Sequence, residues 1–231
     1  MKILIIKHGS LGDLVLSFGA IKTLNYHYPN DDLYLLTQSN YKNIFIKLPY
    51  VKEILIDNRL SIIQSIINYL KIIKKNKFDL VVDLQNSNRT QIYHFFTRVF
   101  TNTQILSARK FSNIKYQQKT LGVQHITQNH KDQLSKLNIH KYFSPDLSWM
   151  SLKKTNKNNY VVMIPGASKT GSYKKWPTQK FAKIAKHLID KKLDVYLTGS
   201  QLDIEDINEI IKLCPHAQNK INESKIDIFL D

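Results

Sequence analysis

The sequence predicts an α/β protein in which helices cover parallel sheets, and three observations favour this class. Short apolar runs alternate with amphipathic helical patterns, which is typical of strands that are buried on both faces. A strand, a glycine loop and a helix open the chain, and the same pattern returns from residue 160. The 231 residues are 42% hydrophobic, which is enough for one large domain or two smaller ones. We therefore expect two Rossmann-like domains.

The elements of the first half follow from local patterns. KILIIK at 2–7 predicts a buried strand, and apolar residues at helical spacing from Asp13 predict a helix that ends before Pro29. Further strands are predicted at 33–37, 51–56, 78–84 and 104–106, and further helices at 60–75, 88–100 and 122–138. Because helices separate the strands, we expect parallel pairing with right-handed crossovers.

The second half repeats the scheme after a polar interruption. Residues 140–159 contain Pro145 and end in lysines and asparagines, which predicts a linker. Beyond it we predict strands at 160–164 and 193–199 and helices at 176–190 and 201–213. The resulting divisions are an N-terminal domain at 1–145, a linker at 146–159 and a second domain at 160–231. The second domain is expected to be incomplete, because a doubly wound sheet commonly has about five or six strands.

Charge and composition restrict the partners. The formal net charge of +16 indicates an anionic partner, such as nucleic acid, an acidic membrane surface or a phosphorylated substrate, although a biased composition would produce the same excess. No RNA-recognition, KH or zinc-finger pattern occurs, so we expect no nucleic-acid partner. The single cysteine, Cys214, lies on an apolar helix face and is interpreted as a packing residue.

The sequence also bears on location and on metals. No apolar run approaches the roughly 20 residues that span a bilayer. The N-terminal run at 2–7 indicates a strand without a cleavage site, so we expect a cytoplasmic protein. The helix at 60–75 has an apolar face and a lysine-rich end, which packing on the sheet explains better than membrane contact. The histidines show no ligand spacing, since His125 and His130 are five apart, and we expect no metal ion.

The segment HGSLGD at 8–13 follows the first strand, at the edge where open α/β sheets place their ligands. Its glycines permit close approach of a ligand, and the following helix presents free N–H groups. It matches neither a dinucleotide fingerprint nor a Walker loop. Asp13, beside Ser10 and Gly12, is interpreted either as a helix N-cap or as a general base, and spacing alone favours the cap.

The segment DLQNSNRT at 83–90 also follows a predicted buried strand. Its polar side chains suit sugar hydroxyls or phosphate, and the candidates are Asp83, Gln85, Asn86, Asn88 and Arg89. Ordinary capping at the start of a helix explains the same residues equally well.

The segment PGASKTGSYKKWP at 165–177 combines small residues with lysines just before a helix N-terminus, which suits an anion. The candidates are Lys169, Lys174 and Lys175 with the small residue Ser168, and a solvated basic loop is the equal alternative. Trp176 is interpreted as a packing residue rather than a catalytic one.

Together these segments resemble glycosyltransferase family 9, the ADP-heptose:lipopolysaccharide heptosyltransferases. ILIIKHGSLGDLVLS is similar to that family's strand–loop–helix with a serine–x–glycine–aspartate corner. VVDLQNSNRT is similar to its DLQGNxRS segment, PGASKTGSYKKWPTQKFAKIAKHL to its PGA…KxWP segment, and VYLTGSQLDIED to its LTG-plus-acid segment. The matches occur in the family's order and span nearly the whole chain.

The resemblance implies a GT-B fold, with a lipid-linked sugar acceptor on the N-terminal domain and a nucleotide-sugar donor on the C-terminal domain. It implies that Asp13 is the catalytic base, that Lys174 contacts the donor phosphates and that Asp203 holds donor hydroxyls. The implied reaction is inverting transfer of heptose from ADP-heptose to the lipopolysaccharide inner core on lipid A, without a metal or cofactor. A basic surface would suit phosphorylated lipid A, with peripheral contact at the inner membrane.

Two departures from the family pattern lead to further expectations. Asn86 stands where the DLQGN pattern has glycine, and no D-[ST]-G-x-x-H motif occurs. We therefore expect a chain that is truncated at its C-terminus. The alternative to a transferase is a non-catalytic remnant, or one half of a split enzyme, that binds anionic lipid or a partner chain.

Overall fold

The structure is a computed structural model. The residues that it describes are 1–58, 60–119, 124–150, 159–167 and 169–221. The chain divides into two compact units, Met1–Met150 and Ser151–Asp231. Each unit has a parallel sheet and a hydrophobic core of its own, which confirms the predicted α/β fold class.

The first unit is built on six parallel strands in the order β3-β2-β1-β4-β5-β6. The strands are β1 (Lys2–Ile6), β2 (Asp32–Thr37), β3 (Glu53–Ile56), β4 (Leu80–Asp83), β5 (Gln104–Ser107) and β6 (Ile114–Lys115). In this doubly wound order the sheet is built outward in opposite directions from β1 and β4. The carboxyl ends of these two strands, where such sheets bind ligands, lead into HGSLGD and DLQN.

Helices cover both faces of this sheet. They are α1 (Leu11–His27), α2 (Lys42–Phe45), α3 (Ile62–Asn76), α4 (Asn88–Phe100) and α5 (Ile126–Leu134). Because successive strand residues point to opposite faces, β1 gives Ile3 and Ile5 to one core and Leu4 and Ile6 to the other. Helices α1, α2 and α5 pack on the first core, and α3 and α4 pack on the second.

Several helices begin a few residues from their predicted starts, and for α3 and α5 the reason is local. α3 begins at Ile62, because the Ser61 hydroxyl accepts a hydrogen bond from the Gln64 N–H and caps the helix. α5 begins at Ile126 rather than at 122, after His125 caps it, and residues 120–123 lie outside the described part of the chain. The sequence analysis did not predict α2 or β6, because elements as short as these give no periodic signal.

The start of the predicted linker packs on the first unit. The Phe143 N–H donates to Thr23 Oγ1 at 2.9 Å, and the Trp149 ring lies edge to face with Phe18 at 5.2 Å. A β-carbon on Gly19 would lie 2.4 Å from the Phe143 carbonyl, so the backbone of this segment touches α1 directly. The polar composition of this segment predicted a linker and gave no sign of these ring contacts. Residues 151–158 of the predicted linker lie outside the described part of the chain.

The second unit has a three-stranded parallel sheet in the order β7-β8-β9. Its elements are β7 (Tyr160–Met163), α6 (Thr178–Asp190), β8 (Asp194–Leu197), α7 (Ile204–Leu213) and β9 (Gln218–Asn219). The core lies between the sheet and the two helices, where Cys214 is buried as the sequence predicted.

Two properties concern the described residues as a set. None of the helices in these ranges is long and apolar enough to cross a bilayer. Within the same ranges, no three histidine, cysteine, aspartate or glutamate side chains are grouped as metal ligands would be.

Candidate functional site

The corner between β1 and α1 carries Asp13 in the first turn of the helix. Ser10 occupies the N-cap position, and its hydroxyl donates to Asp13 Oδ2 at 3.3 Å. The interpretation of Asp13 as the N-cap is therefore wrong. The Asp13 side chain is partly exposed, at a helix start that is a favourable place for negative charge. A carboxylate in this position can accept a proton from a bound hydroxyl group.

Gly9 and Gly12 have different roles in this corner. Gly9 has a φ of +119°, and a β-carbon on it would lie 2.6 Å from the Tyr41 ring. Both the backbone and the packing therefore require glycine at residue 9. A β-carbon on Gly12 would meet no described atom within 4 Å. The space over Gly12 is open in this unit, so Gly12 rather than Gly9 leaves room for a ligand.

Two buried basic side chains accompany this corner, and the sequence analysis identified neither as part of the site. Lys7 is 3% exposed, and its ammonium donates to the Leu84 carbonyl at 3.4 Å. Burial lowers the pKa of Lys7, and the negative charges of Asp13 and Asp83 oppose that shift. Burial also lowers the pKa of His130 to about 3, and the charge of Lys7 adds to the effect. A buried cation and a neutral imidazole thus share the electrostatic environment of Asp13.

Asp83 lies at the carboxyl end of β4 and is fully buried. Its Oδ1 accepts the N–H groups of Gln85 and Asn86 at 2.9 Å each, and His94 Nε2 lies 3.1 Å from Oδ2. Burial alone would raise the pKa of this carboxyl group, but His94 and the hydrogen bonds outweigh it and lower the pKa. The sequence analysis placed Asp83 beside the acceptor, whereas the structure uses it to hold the turn after β4.

Asn86 stands where the DLQGN pattern has glycine. Its φ of +49° lies in the left-handed region, which glycine and asparagine adopt most readily. The backbone therefore keeps the shape that glycine would allow. Asn86 Oδ1 accepts the Ala108 N–H at 2.8 Å, and Nδ2 donates to Gln133 Oε1 at 3.3 Å. The amide thus ties the turn after β4 to the end of β5 and to α5.

Gln85, Asn88 and Arg89 complete the set that the sequence predicted for the acceptor. Gln85 Oε1 accepts the His8 N–H at 3.1 Å, which joins this turn to the HGSLGD corner. Arg89 donates to Ser65 Oγ at 2.7 Å and is thereby directed toward α3. Asn88 is exposed at the start of α4 and is the most accessible of the three.

A buried polar group beneath this edge was not identified from the sequence. Asp57, just after β3, accepts a hydrogen bond from the Tyr93 hydroxyl at 2.5 Å and lies 3.0 Å from His8 Nε2. Burial raises the pKa of Tyr93 to about 12, and the bond to Asp57 adds to the shift. The group joins β3 and α4 to the loop that precedes Asp13, so it fixes the position of that loop.

A basic pocket of about 850 Å³ opens at the carboxyl ends of β5 and β6. None of the described residues that line it is acidic, and its cations are Arg109, Lys115, Lys119 and Lys136. Arg109 is held in place because its Nε donates to the Asn86 carbonyl at 2.5 Å. The sequence analysis did not identify this pocket, because its cations are separated in the sequence and come together only through the order of the strands. The pocket suits a ligand with phosphate or carboxylate groups.

In the second unit, Asp203 holds two loops against each other. It is 5% exposed, and its Oδ2 accepts the N–H and the hydroxyl of Ser200 at 2.8 and 2.7 Å. A β-carbon on Gly166 would lie 2.2 Å from the Asp203 carboxyl group, so only glycine permits this approach. These contacts show that Asp203 joins the loops after β7 and β8, and the role in holding donor hydroxyls that the resemblance implies for it stays a prediction.

The lysines before α6 have different surroundings. Lys174 is exposed, with its ammonium 5.5 Å from the centre of the Tyr173 ring. The next residue, Lys175, forms an ion pair with Asp206 on α7. Lys174 is therefore better placed than Lys175 to meet an anionic ligand.

The remaining residues of this loop are described in part. Ser168 lies outside the described residues, and so does the side chain of Lys169, which begins a 3-10 turn. Trp176 lies edge to face with Phe181 at 5.3 Å, as expected of a packing residue. Pro177 is the N-cap of α6, and among the side chains that the structure describes none caps that helix start. Its first N–H groups are consequently available to a ligand.

Solved structures with this architecture define the class of fold. The chain is similar to the glycosyl transferase family 9 from Veillonella parvula, with a TM-score of 0.78 and 16% identity over 98% of this chain and 70% of that one. E. coli heptosyltransferase WaaC with ADP-2-deoxy-2-fluoro heptose gives 0.75 and 14% over 99% and 78%. E. coli ADP-heptose lps heptosyltransferase II gives 0.71 and 20% over 98% and 74%. The protein thus has a GT-B-like glycosyltransferase fold, with part of the second domain.

The family follows from the amino-acid sequence. A model of glycosyltransferase family 9 (heptosyltransferase) matches residues 66–222, which is more than half of the chain. The chain therefore belongs to glycosyltransferase family 9, a family of enzymes that transfer sugars. A comparison with curated proteins gives no match.

Proposed function

We propose that the protein transfers heptose from ADP-heptose to a sugar of the lipopolysaccharide inner core, with inversion at the anomeric carbon. The observation that carries the proposal is Asp13, a partly exposed carboxylate in the first turn of α1, with open space over Gly12. Membership of glycosyltransferase family 9 supports the reaction class. The name of the similar E. coli ADP-heptose lps heptosyltransferase II supports the donor and the pathway, and the ADP-2-deoxy-2-fluoro heptose in the similar WaaC structure supports the donor.

Asp13 acts as the general base in this proposal. Its carboxylate takes the proton from the acceptor hydroxyl while that oxygen forms a bond to the anomeric carbon of the donor. The bond between that carbon and the diphosphate breaks, and its electron pair leaves with ADP. Because the attack occurs opposite the leaving group in a single displacement, the product has the inverted configuration.

The second unit supplies the groups for the donor. ADP needs stabilisation of its negative charge rather than protonation, and a cation with a helix N-terminus can provide this. Lys174 supplies the cation, and the N–H groups at the start of α6 supply further donors of hydrogen bonds. Asp203 and Gly166 keep the two adjoining loops together. The proposal includes no metal ion and no organic cofactor, because this charge stabilisation is sufficient for the step.

The first unit supplies the groups for the acceptor. Its basic pocket at Arg109, Lys115, Lys119 and Lys136 suits the phosphate or carboxylate groups of a lipid A-type glycolipid. A glycolipid of this kind is anchored in the bilayer. The proposal therefore places the protein in the cytoplasm, in peripheral contact with the inner membrane.

The test is a transfer assay with the full chain, ADP-heptose and a Kdo-bearing lipid A acceptor. We expect ADP release that requires both substrates, and an NMR spectrum of the product that shows the opposite anomeric configuration to the donor. UDP-N-acetylglucosamine serves as a matched donor that should give no product. Retention of configuration, or ADP release without the acceptor, would contradict the proposal. Binding of the acceptor without turnover would favour the non-catalytic alternative.

A further inference from the structure

Helices α3 and α4 carry large apolar side chains on their outer sides. Both helices pack on the same face of the sheet, where the Tyr69 and Tyr93 rings stack at 4.4 Å, so their opposite sides point outward together. This surface, the α3–α4 face, consists of side chains that are 44% to 67% exposed: Ile63, Ile67, Phe95, Val99, Phe100 and the adjoining Phe111. Contiguous exposed apolar surface of this kind marks an interaction site.

The rings of the α3–α4 face contact one another. Phe95 lies edge to face with Phe96 and with Phe111, at 5.3 Å between ring centres in both cases. Phe96 and Phe100 stack at 6.3 Å, and the Lys74 ammonium lies 4.8 Å from the centre of the Phe100 ring. The aromatic residues therefore form one continuous surface with a cation at its edge.

Phe111 is held outward by an unfavourable backbone conformation. Its φ of +68° lies in the left-handed region, which bulky side chains rarely adopt. Its ring is nevertheless 44% exposed, so burial does not account for the strain. Strain that keeps a large aromatic ring at the surface points to a role in binding.

The same region of the sequence lacks negative charge. The chain has 18 aspartate and glutamate residues, but residues 58–78 and 84–131 contain none. The exposed cations of α3, α4 and the residue before Phe111 are Lys71, Lys74, Lys75, Arg98 and Lys110. Exposed rings with surrounding cations and no carboxylates are complementary to an anionic lipid surface.

We propose that the α3–α4 face docks on an anionic membrane surface. Its apolar side chains enter the boundary between head groups and acyl chains, and its cations contact lipid phosphates. A second copy of the chain fits this face less well, because a two-fold interface would bring the same cations against one another. The inference rests on the proposed function, because docking would bring the protein to a lipid-linked acceptor. The test of docking does not depend on catalysis.

The first experiment is co-sedimentation of the full chain with vesicles. Mixed phosphatidylglycerol and phosphatidylcholine vesicles are compared with phosphatidylcholine vesicles alone. We expect binding to the anionic vesicles, and binding that is more than about 100-fold weaker to the neutral vesicles or in about 0.5 M salt, because all of the cations then lose their attraction. Equal binding to both kinds of vesicle would overturn the proposal.

A charge variant tests the cations. The double variant Lys74→Gln/Lys75→Gln should weaken binding about 20-fold, because each cation close to an anionic surface contributes roughly a fivefold factor. The matched control is Lys183→Gln/Lys186→Gln, which removes two exposed lysines from α6. It should bind like the wild type, and an equal loss in both variants would overturn the assignment to the α3–α4 face.

A ring variant tests the apolar side chains without harm to the fold. Phe111→Gly removes the ring and relieves the left-handed backbone, so its unfolding temperature should be equal to or above that of the wild type. Vesicle binding should fall roughly tenfold. The control is Ile184→Ala, which truncates an exposed apolar side chain of α6 and should leave vesicle binding unchanged. Undiminished binding of Phe111→Gly would contradict the proposed docking of the rings.

Two further measurements test whether a second copy of the chain occupies the α3–α4 face and whether the variants keep the transferase activity. A dimer in sedimentation velocity that both variants disrupt, without loss of vesicle binding, would assign the face to a second copy of the chain. Transfer to a soluble, delipidated acceptor should be the same in the wild type and both variants. A failure of the docking proposal therefore leaves that activity intact, and a failure of the proposed transferase function leaves vesicle binding intact.

Discussion

The corners at the ends of β1 and β4 each carry an aspartate but differ in structure. Both contain an aspartate at the carboxyl edge of the sheet, close to the start of a helix. At the first corner, Asp13 is partly exposed and accepts a hydrogen bond from the Ser10 hydroxyl. At the second, Asp83 is fully buried and is held by two backbone N–H groups and His94. An acid at a sheet edge can act in chemistry only where its oxygens remain accessible.

The cause of the difference is the path of the backbone after each strand. After β4, the left-handed residue Asn86 turns the chain so that consecutive N–H groups point at the Asp83 carboxylate. After β1, Asp13 lies on the first turn of α1, beyond the loop, where no such turn encloses it. The first corner is therefore assigned to the reaction and the second to rigidity.

The largest expected effect on stability is at the second corner. Asp83→Asn removes a fully buried carboxylate that accepts two backbone N–H groups and lies 3.1 Å from His94 Nε2, and it should lower the free energy of unfolding by about 3 kcal/mol. Urea denaturation followed by circular dichroism measures this change. Glu53→Gln, which alters an exposed carboxylate at the start of β3, is the control and should change stability by less than about 0.5 kcal/mol. A similarly small effect for Asp83→Asn would remove the distinction between the corners.

In the second unit, the neighbouring residues Lys174 and Lys175 are likewise expected to differ, one acting in the reaction and the other in the structure. Lys174→Ala should lower kcat/KM about 100-fold, because it removes a cation assigned to the departing ADP. Lys175→Ala should lower it less than about threefold, because Lys175 is paired with Asp206. Steady-state kinetics at varied ADP-heptose concentration measure both variants. Equal losses would show that the loop acts through its total charge.

Acid should destabilise the first unit through His130. The pKa of His130 is about 3 when the protein is folded and about 6.5 when it is unfolded, so below pH 6.5 the unfolded chain binds a proton that the folded chain does not. Stability should therefore fall as the pH is lowered, by about 2 kcal/mol at pH 5. His130→Met should lose this part of the pH dependence, while His140→Gln, at an exposed histidine, should keep it. Urea titrations at pH 7.5 and at pH 5 measure the free energy of unfolding of the wild type and of both variants.

The smallest expected change in stability is that of Gly12→Ala at the first corner, and Gly9→Ala at the same corner is the comparison. Gly12→Ala should raise the free energy of unfolding by about 0.5–1 kcal/mol, because alanine favours the helix, and should lower kcat/KM roughly tenfold by occupying the space over Gly12. Gly9→Ala should instead destabilise the protein by about 2 kcal/mol, because of its positive φ and its contact with Tyr41. Thermal unfolding measures the stability of both variants, and steady-state kinetics measures their kcat/KM. Full activity in a stable Gly12→Ala variant would contradict a ligand at that position.

The order of the main elements could be predicted from the sequence because apolar runs and glycine loops are local signals. KILIIK and HGSLGD identified β1 and the first corner, including Asp13. Local reasoning did not predict the burial of Asp83, since its partner His94 lies on the following helix and the burial depends on that helix packing on the sheet. Local reasoning also predicted a linker where Trp149 packs on α1.

The basic pocket could not be predicted because its residues meet through topology. Arg109 follows β5, Lys115 ends β6 and Lys136 follows α5, so no spacing in the sequence brings them together. The signal that was present is the absence of acidic residues from 84 to 131. That signal indicates an anionic partner but does not locate its site.

The most direct test of the central claim is the turnover of Asp13→Asn with ADP-heptose and the lipid A acceptor. Asparagine keeps the size of the side chain and can still accept the hydrogen bond from Ser10, but it cannot take a proton. We predict that kcat falls on the order of 1000-fold while the unfolding temperature is unchanged, and that Glu53→Gln turns over like the wild type. Turnover of Asp13→Asn at the wild-type rate would contradict the account.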